Sequence, residues 1–155
     1  MQIEIGSNLV ESPARFHSKL RGHVASVARV HRPCATAVGC IEADVASPVR
    51  TYLRREFGIH SLDPVRFSGP LVSLAGRGDP EVARWARERV RASWLRNGSS
   101  LIAVVAHAGC SRSLGTPVEQ IEGLSESVER IATWNLGVEA VGLWIDETGA
   151  VDWLA

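Results

Sequence analysis

Apolar runs rich in β-branched and small residues alternate along this chain with cap-and-proline signals, and no other feature constrains the fold as much. The runs are ATAVGCI (35–41), PLVSLA (70–75), LIAVVAH (101–107) and VEAVGLWI (138–145). The signals are Ser12-Pro13, Ser47-Pro48, Asp79-Pro80 and Thr116-Pro117. Each sets a capping side chain before a proline whose missing N–H costs nothing at the first helical position. Helices are expected over 13–31, 48–57, 80–97 and 117–135. Thr116 followed by Glu119 reads as a capping box. In the third helix Val82, Trp85, Ala86, Val90 and Trp94 share one face, and Arg84, Arg87 and Arg91 the other. The four runs are apolar on both faces, which suits parallel strands covered on both sides. Strand and helix in alternation make an α/β fold, with a mainly parallel sheet of four to five strands flanked by helices. DETGAVDWL (146–154) reads as a turn and a short last strand, an antiparallel edge.

At 155 residues, 45% of them hydrophobic, the chain supplies the core of one domain spanning 1–155. Lys plus Arg equals Asp plus Glu at 17 each, so overall charge favours no polyanionic partner, although the basic residues concentrate before position 100. Arg84, Arg87 and Arg91, with Arg89 and Arg96, could form a nucleic-acid stripe, but Glu81 and Glu88 interrupt it and a solvated helix face is the simpler account. Three cysteines are too few for a secreted disulfide framework, and MQIEIGSNLVESP lacks the apolar core of a signal peptide. The expected setting is the cytoplasm, with no membrane span.

In an open parallel sheet, sites form outside the carboxyl ends of the strands. His107 ends one expected strand and Cys40 nearly ends another, so both side chains should reach the same rim. Cys110 lies in the loop leaving His107 and can turn back to that point. Two thiolates and an imidazole make a ligand set for a borderline-soft tetrahedral ion such as Zn2+. On spacing alone the plainer account takes precedence: a buried strand-end histidine and two core cysteines. Cys34 stands about 20 Å from Cys40 along an extended strand and belongs to the core in either case.

Four segments turn that preference. RPCATAVGCIEAD (32–44), SLAGRG (73–78), VVAHAGC (104–110) and WNLGVEAVGLWIDETGAVDWL (134–154) together resemble a shortened β-class carbonic anhydrase. The resemblance covers roughly residues 32–155. It implies Zn2+ on Cys40, His107 and Cys110, and reversible hydration of CO2 to bicarbonate by zinc-bound hydroxide. Phe16, Leu20, Val24 and Val27 give the first helix an apolar stripe, which the plainer account packs on its own sheet; the resemblance implies instead a homodimer or larger homo-oligomer, with this helix outside the sheet and packed across a partner. Trp134, Trp144 and Trp153 are read as core or subunit-interface anchors.

The departures fall at the catalytic positions. The family motif C-x-D-x-R becomes Cys40-x-Glu42-x-Asp44, and the glycine after the second cysteine becomes Ser111. In the resembled mechanism the Asp–Arg pair keeps the carboxylate off the metal. Without it, Glu42 is expected at the fourth zinc position, with Asp44 needing a cation such as Arg50 or Arg77. The sequence-level expectation is therefore a zinc protein with weak or absent CO2 hydration. The alternatives are a catalytically silent zinc protein with a structural, assembly or regulatory role, and a hydrolase of a related small molecule such as carbonyl sulfide.

Overall fold

The most apolar runs form the centre of the sheet. Strands β1 (Cys34–Cys40) and β3 (Leu101–His107) are buried along their whole lengths. The structure, a computed structural model, describes residues 33–113 and 115–155. The expected helix over 13–31, with its apolar stripe and its Ser12-Pro13 cap, lies outside the described residues.

Beyond β1 the order is α1 (Ala46–Phe57), β2 (Ser61–Phe67), α2 (Pro70–Leu74), α3 (Pro80–Asn97), β3, α4 (Pro117–Ala132), β4 (Glu139–Ile145) and β5 (Val151–Trp153). The five strands are ordered β2-β1-β3-β4-β5, all parallel except β5, which runs antiparallel to β4 as expected of the last edge. Alternate residues of β3 feed two cores. Leu101, Ala103 and Val105 pack with Val49, Leu53 and Phe57 of α1, while Ile102, Val104 and Ala106 pack with α2, α3 and α4. Each large aliphatic side chain removed from water in this way contributes about 1.5–3 kcal/mol, which fixes the strand ends that carry the site. Trp134 and Trp144 pack against the second core and Trp153 against the first, where its ring meets Phe57 at 5.9 Å.

One expected strand and one expected cap shift. PLVSLA is not a strand: Pro70 opens the short helix α2, and the strand at this point in the order is the earlier SLDPVRF. Periodicity cannot separate a short buried helix from a short buried strand, and Pro64 masks β2. A proline is tolerated there because β2 is the sheet edge. At α1, Ser47 is not the cap. The helix begins at Ala46, and the Asp44 carboxylate accepts hydrogen bonds from the N–H groups of Ala46 (3.1 Å) and Ser47 (3.2 Å). The Asp79 cap and the Thr116–Glu119 capping box form as expected. On α3 the buried face is Ala86, Val90 and Ser93, whereas Trp85 is 43% exposed and lies edge-on to Phe67.

Candidate metal centre

Cys40 is the last residue of β1 and His107 the last of β3, and these strands are neighbours in the sheet. Their side chains are therefore delivered to one rim by the two most buried strands. Cys110 follows a turn with Gly109 in the left-handed region (φ 72°), which brings the chain back over the rim. The ligand atoms of Cys40, His107 and Cys110 all lie within 4.8 Å of one another. Cys34, at the far end of β1, is not among them. All three cysteines are unpaired.

Three observations show that this cluster fits a metal. The Sγ atoms of Cys40 and Cys110 are 3.7 Å apart, too far for a disulfide. Two thiolates on one tetrahedral ion, each about 2.3 Å from it, stand about 3.8 Å apart. His107 donates from Nδ1 to the carbonyl of its neighbour Ala108 (3.1 Å), leaving Nε2 as the free lone pair. That Nε2 is buried and has no hydrogen-bond partner, a costly state for a polar atom unless something is bound to it.

The electrostatics favour a thiolate at Cys40. Burial acts to raise its pKa, but the neighbouring His107 imidazole and the backbone N–H groups of Glu42 and Gly69 outweigh it and hold the thiol below its ordinary value. At Cys110 burial dominates, and with the charges of Cys40 and Glu42 nearby it pushes the thiol up despite the Arg112 N–H.

Glu42 is anchored to the loop that carries Cys110. Its carboxylate is not free: Oε1 accepts from the Ser111 N–H (3.2 Å) and Oε2 from the Ser111 hydroxyl (2.7 Å), with Arg112 Nε 3.8 Å from Oε2. These Ser111 bonds, then the nearby His107 and Arg112, hold its pKa below the usual carboxylate value. The expected cation beside Asp44 also differs. Arg77 pairs with Glu126 (3.0 Å), and the guanidinium acting on Asp44 is that of Arg66. Arg66 also donates to the carbonyls of Ile41 (3.2 Å) and Ala43 (2.9 Å), closing the loop that carries Glu42. Arg50 stands exposed on α1.

Ser68-Gly69 follows β2, at the rim beside Cys40, whereas the SLAGRG segment lies on α2 and the following loop. Gly69 has φ 62°, and a Cβ there would lie 2.5 Å from the Arg112 carbonyl oxygen. Arg112 in turn donates to the Ser68 hydroxyl (3.1 Å). Ser111, Arg112, Arg66 and Gly69 thus build the surroundings of the cluster. Sequence reading registered Ser111 as a departure from a motif and passed over the others.

Residues 30–155 match the model of the family described as "Putative carbonic anhydrase". No curated protein matches the chain.

Proposed function

The chain belongs to the "Putative carbonic anhydrase" family, and on that premise we propose that Cys40, His107 and Cys110 hold Zn2+ and that the protein catalyses the reversible hydration of CO2 to bicarbonate. The observation that carries this reading is the buried, unpartnered Nε2 of His107 within 4.8 Å of two thiol groups at the strand rim. A zinc ion supplies Lewis acidity that lowers the pKa of water to about 7.

The chain's own residues supply the rest. Ser111 uses one lone pair on each Glu42 oxygen, and each oxygen keeps another with which to accept a proton from water. Glu42 is thereby an oriented acceptor, tied to the loop of Cys110 instead of free to swing. In this reading the Ser111 hydroxyl and amide do the holding that the absent Arg would have done. Asp44 takes no proton in the reaction; it caps α1 and, with Arg66, fixes the loop on which Glu42 stands.

A second reading, a catalytically silent zinc protein, draws on one observation: the carboxylate of Asp44, at the position of the family's arginine, is committed to a helix cap. Metal analysis with stopped-flow CO2 hydration separates the two. Turnover that disappears with zinc in His107→Ala supports the enzyme, zinc without turnover supports the silent protein, and native protein without zinc overturns both.

The proposed protein is one zinc-binding domain over 1–155, cytoplasmic in keeping with its three unpaired thiols, and a homodimer or larger assembly. Light scattering at micromolar concentration tests the assembly, and a monomer throughout would refute it. Among the described residues no helix is long and apolar enough to cross a membrane.

A further inference from the structure

A half-open cavity of about 360 Å3 lies among α2, α3, α4 and the turn between α2 and α3, and none of Cys40, His107 and Cys110 lines it. Its wall is cationic. Arg84 and Arg87 reach it from the N-terminal half of α3, and Arg130 from the last turn of α4. Guanidinium groups from two helices distant in sequence therefore face one space, where they repel one another unless an acid or a bound anion intervenes.

Acidic compensation is thin. Arg84 pairs with Glu81, one helical turn away. Among the described residues neither Arg87 nor Arg130 makes an ion pair. Glu126 pairs with Arg77, and Asp79 caps α3 by accepting from the Glu81 N–H, while Glu88 and Glu129, each adjacent in sequence to one of these arginines, form no ion pair among the described residues. The turn between α2 and α3 is cut back beneath the arginines. Gly76 has φ 78°, and a Cβ on it would stand 3.0 Å from Arg130 Nη2, so glycine leaves the room in which that guanidinium lies. Half-buried Trp134 forms another wall. A solvated helix face accounts for Arg89 and Arg91, but not for an arginine brought from α4 to the same cavity.

We propose that this cavity binds a phosphate-bearing small molecule, with the phosphate held by Arg84, Arg87 and Arg130 and the organic part laid against Trp134. Two uncompensated guanidinium groups match a dianion, and their forked N–H donors match phosphate oxygens. The volume falls within the range of about 300–1,000 Å3 usual for small-molecule sites and exceeds what a bare phosphate fills. The indole offers a flat apolar surface for the remainder.

The test is titration of the full-length protein with inorganic phosphate, and separately with adenosine monophosphate, followed by tryptophan fluorescence and by thermal unfolding. Sodium chloride at matched ionic strength is the control. Phosphate is expected to raise the midpoint and change the fluorescence saturably where chloride does not, and adenosine monophosphate to bind more tightly than phosphate. Arg87→Ala and Arg130→Ala, both at exposed positions, should each weaken binding by about tenfold. Trp134→Phe should remove most of the fluorescence change, and His107→Ala should leave the phosphate response intact. An equal response to chloride, or undiminished binding in the double variant, overturns the site. Loss of the response in His107→Ala would assign the phosphate to the metal centre and also overturn it. Equal affinity for phosphate and adenosine monophosphate would overturn the organic part of the proposal.

Discussion

Gly69→Ala probes how tightly the rim is built, because two separate effects act on that residue. The first is conformational: at φ 62° an L-residue is strained by about 1–2 kcal/mol. The second is contact. The new methyl would start 2.5 Å from the Arg112 carbonyl oxygen, when ordinary contact needs about 3.5 Å, so the backbone of the Cys110 loop must move by roughly an ångström. Forced repacking of this kind costs about 1–3 kcal/mol, for a total of about 2–5 kcal/mol. Gly98→Ala is the control. Gly98 has φ 60° with nothing within 4 Å of its Cβ position, so only the conformational part applies. Urea unfolding gives the comparison. With m of about 1–3 kcal/mol/M, Gly69→Ala should lower the midpoint by about a molar or more, roughly twice the effect of Gly98→Ala. Gly69→Ala should also loosen metal binding through the displaced loop, which Gly98→Ala leaves alone. Equal midpoints for the two variants would refute the reasoning, since they would show that the Arg112 carbonyl does not press on Gly69.

Zinc content, measured by elemental analysis, should fall from the proposed one or so per chain to near zero in Cys40→Ser and His107→Ala, because removing one of the three proposed ligands leaves too few. Ser111→Ala should keep its zinc and lose about 10–100-fold in CO2 turnover, the usual effect of removing a group that orients a site residue; unchanged turnover would show that the Glu42–Ser111 bonds are incidental. Asp44→Arg, which restores the residue type of the family motif, should lower thermal stability by removing the α1 cap, so a gain in stability would contradict the capping role. Asp63 is held below the ordinary carboxylate value of 3.8: burial opposes this, but Ser93, Arg96 and Asn97 prevail. Its stabilising effect is complete above that value and is lost as pH falls through the lower folded-state pKa, so Asp63→Asn should be less stable at pH 7 and show a flatter acid limb in a pH series of thermal midpoints.

The parts of this molecule that were legible in the sequence are those in which a single local signal decides the outcome. β3 and α3 begin and end where periodicity and caps place them, and the Cys40, His107 and Cys110 cluster follows from strand ends in a parallel sheet. β2 was hidden because edge strands carry charge and proline, and SLDPVRF has both. α2 was misread because a mostly apolar run of five residues is too short to carry a period. The anchoring of Glu42 was hidden for a different reason. Its partner Ser111 is distant in sequence, and a serine beside Cys110 carries no signal until the loop is seen folded across the rim. Asp44, likewise, looked like an uncompensated charge and is a cap, a role decided by where α1 begins.

Two of the three proposed ligands close fully buried central strands, while the third stands in a half-exposed loop. In hydrogen-exchange terms, β1 and β3 should open only with the whole fold, and the 108–113 loop by local excursions far less costly. An ion seated there would then leave through Cys110 first. Its release to a chelator would follow the opening rate of that loop and stay nearly constant in mild denaturant, rising with global unfolding only near the urea midpoint. Because Ser111 travels with Cys110, each such excursion would also let go of Glu42, so that metal retention and carboxylate alignment fail on the same clock.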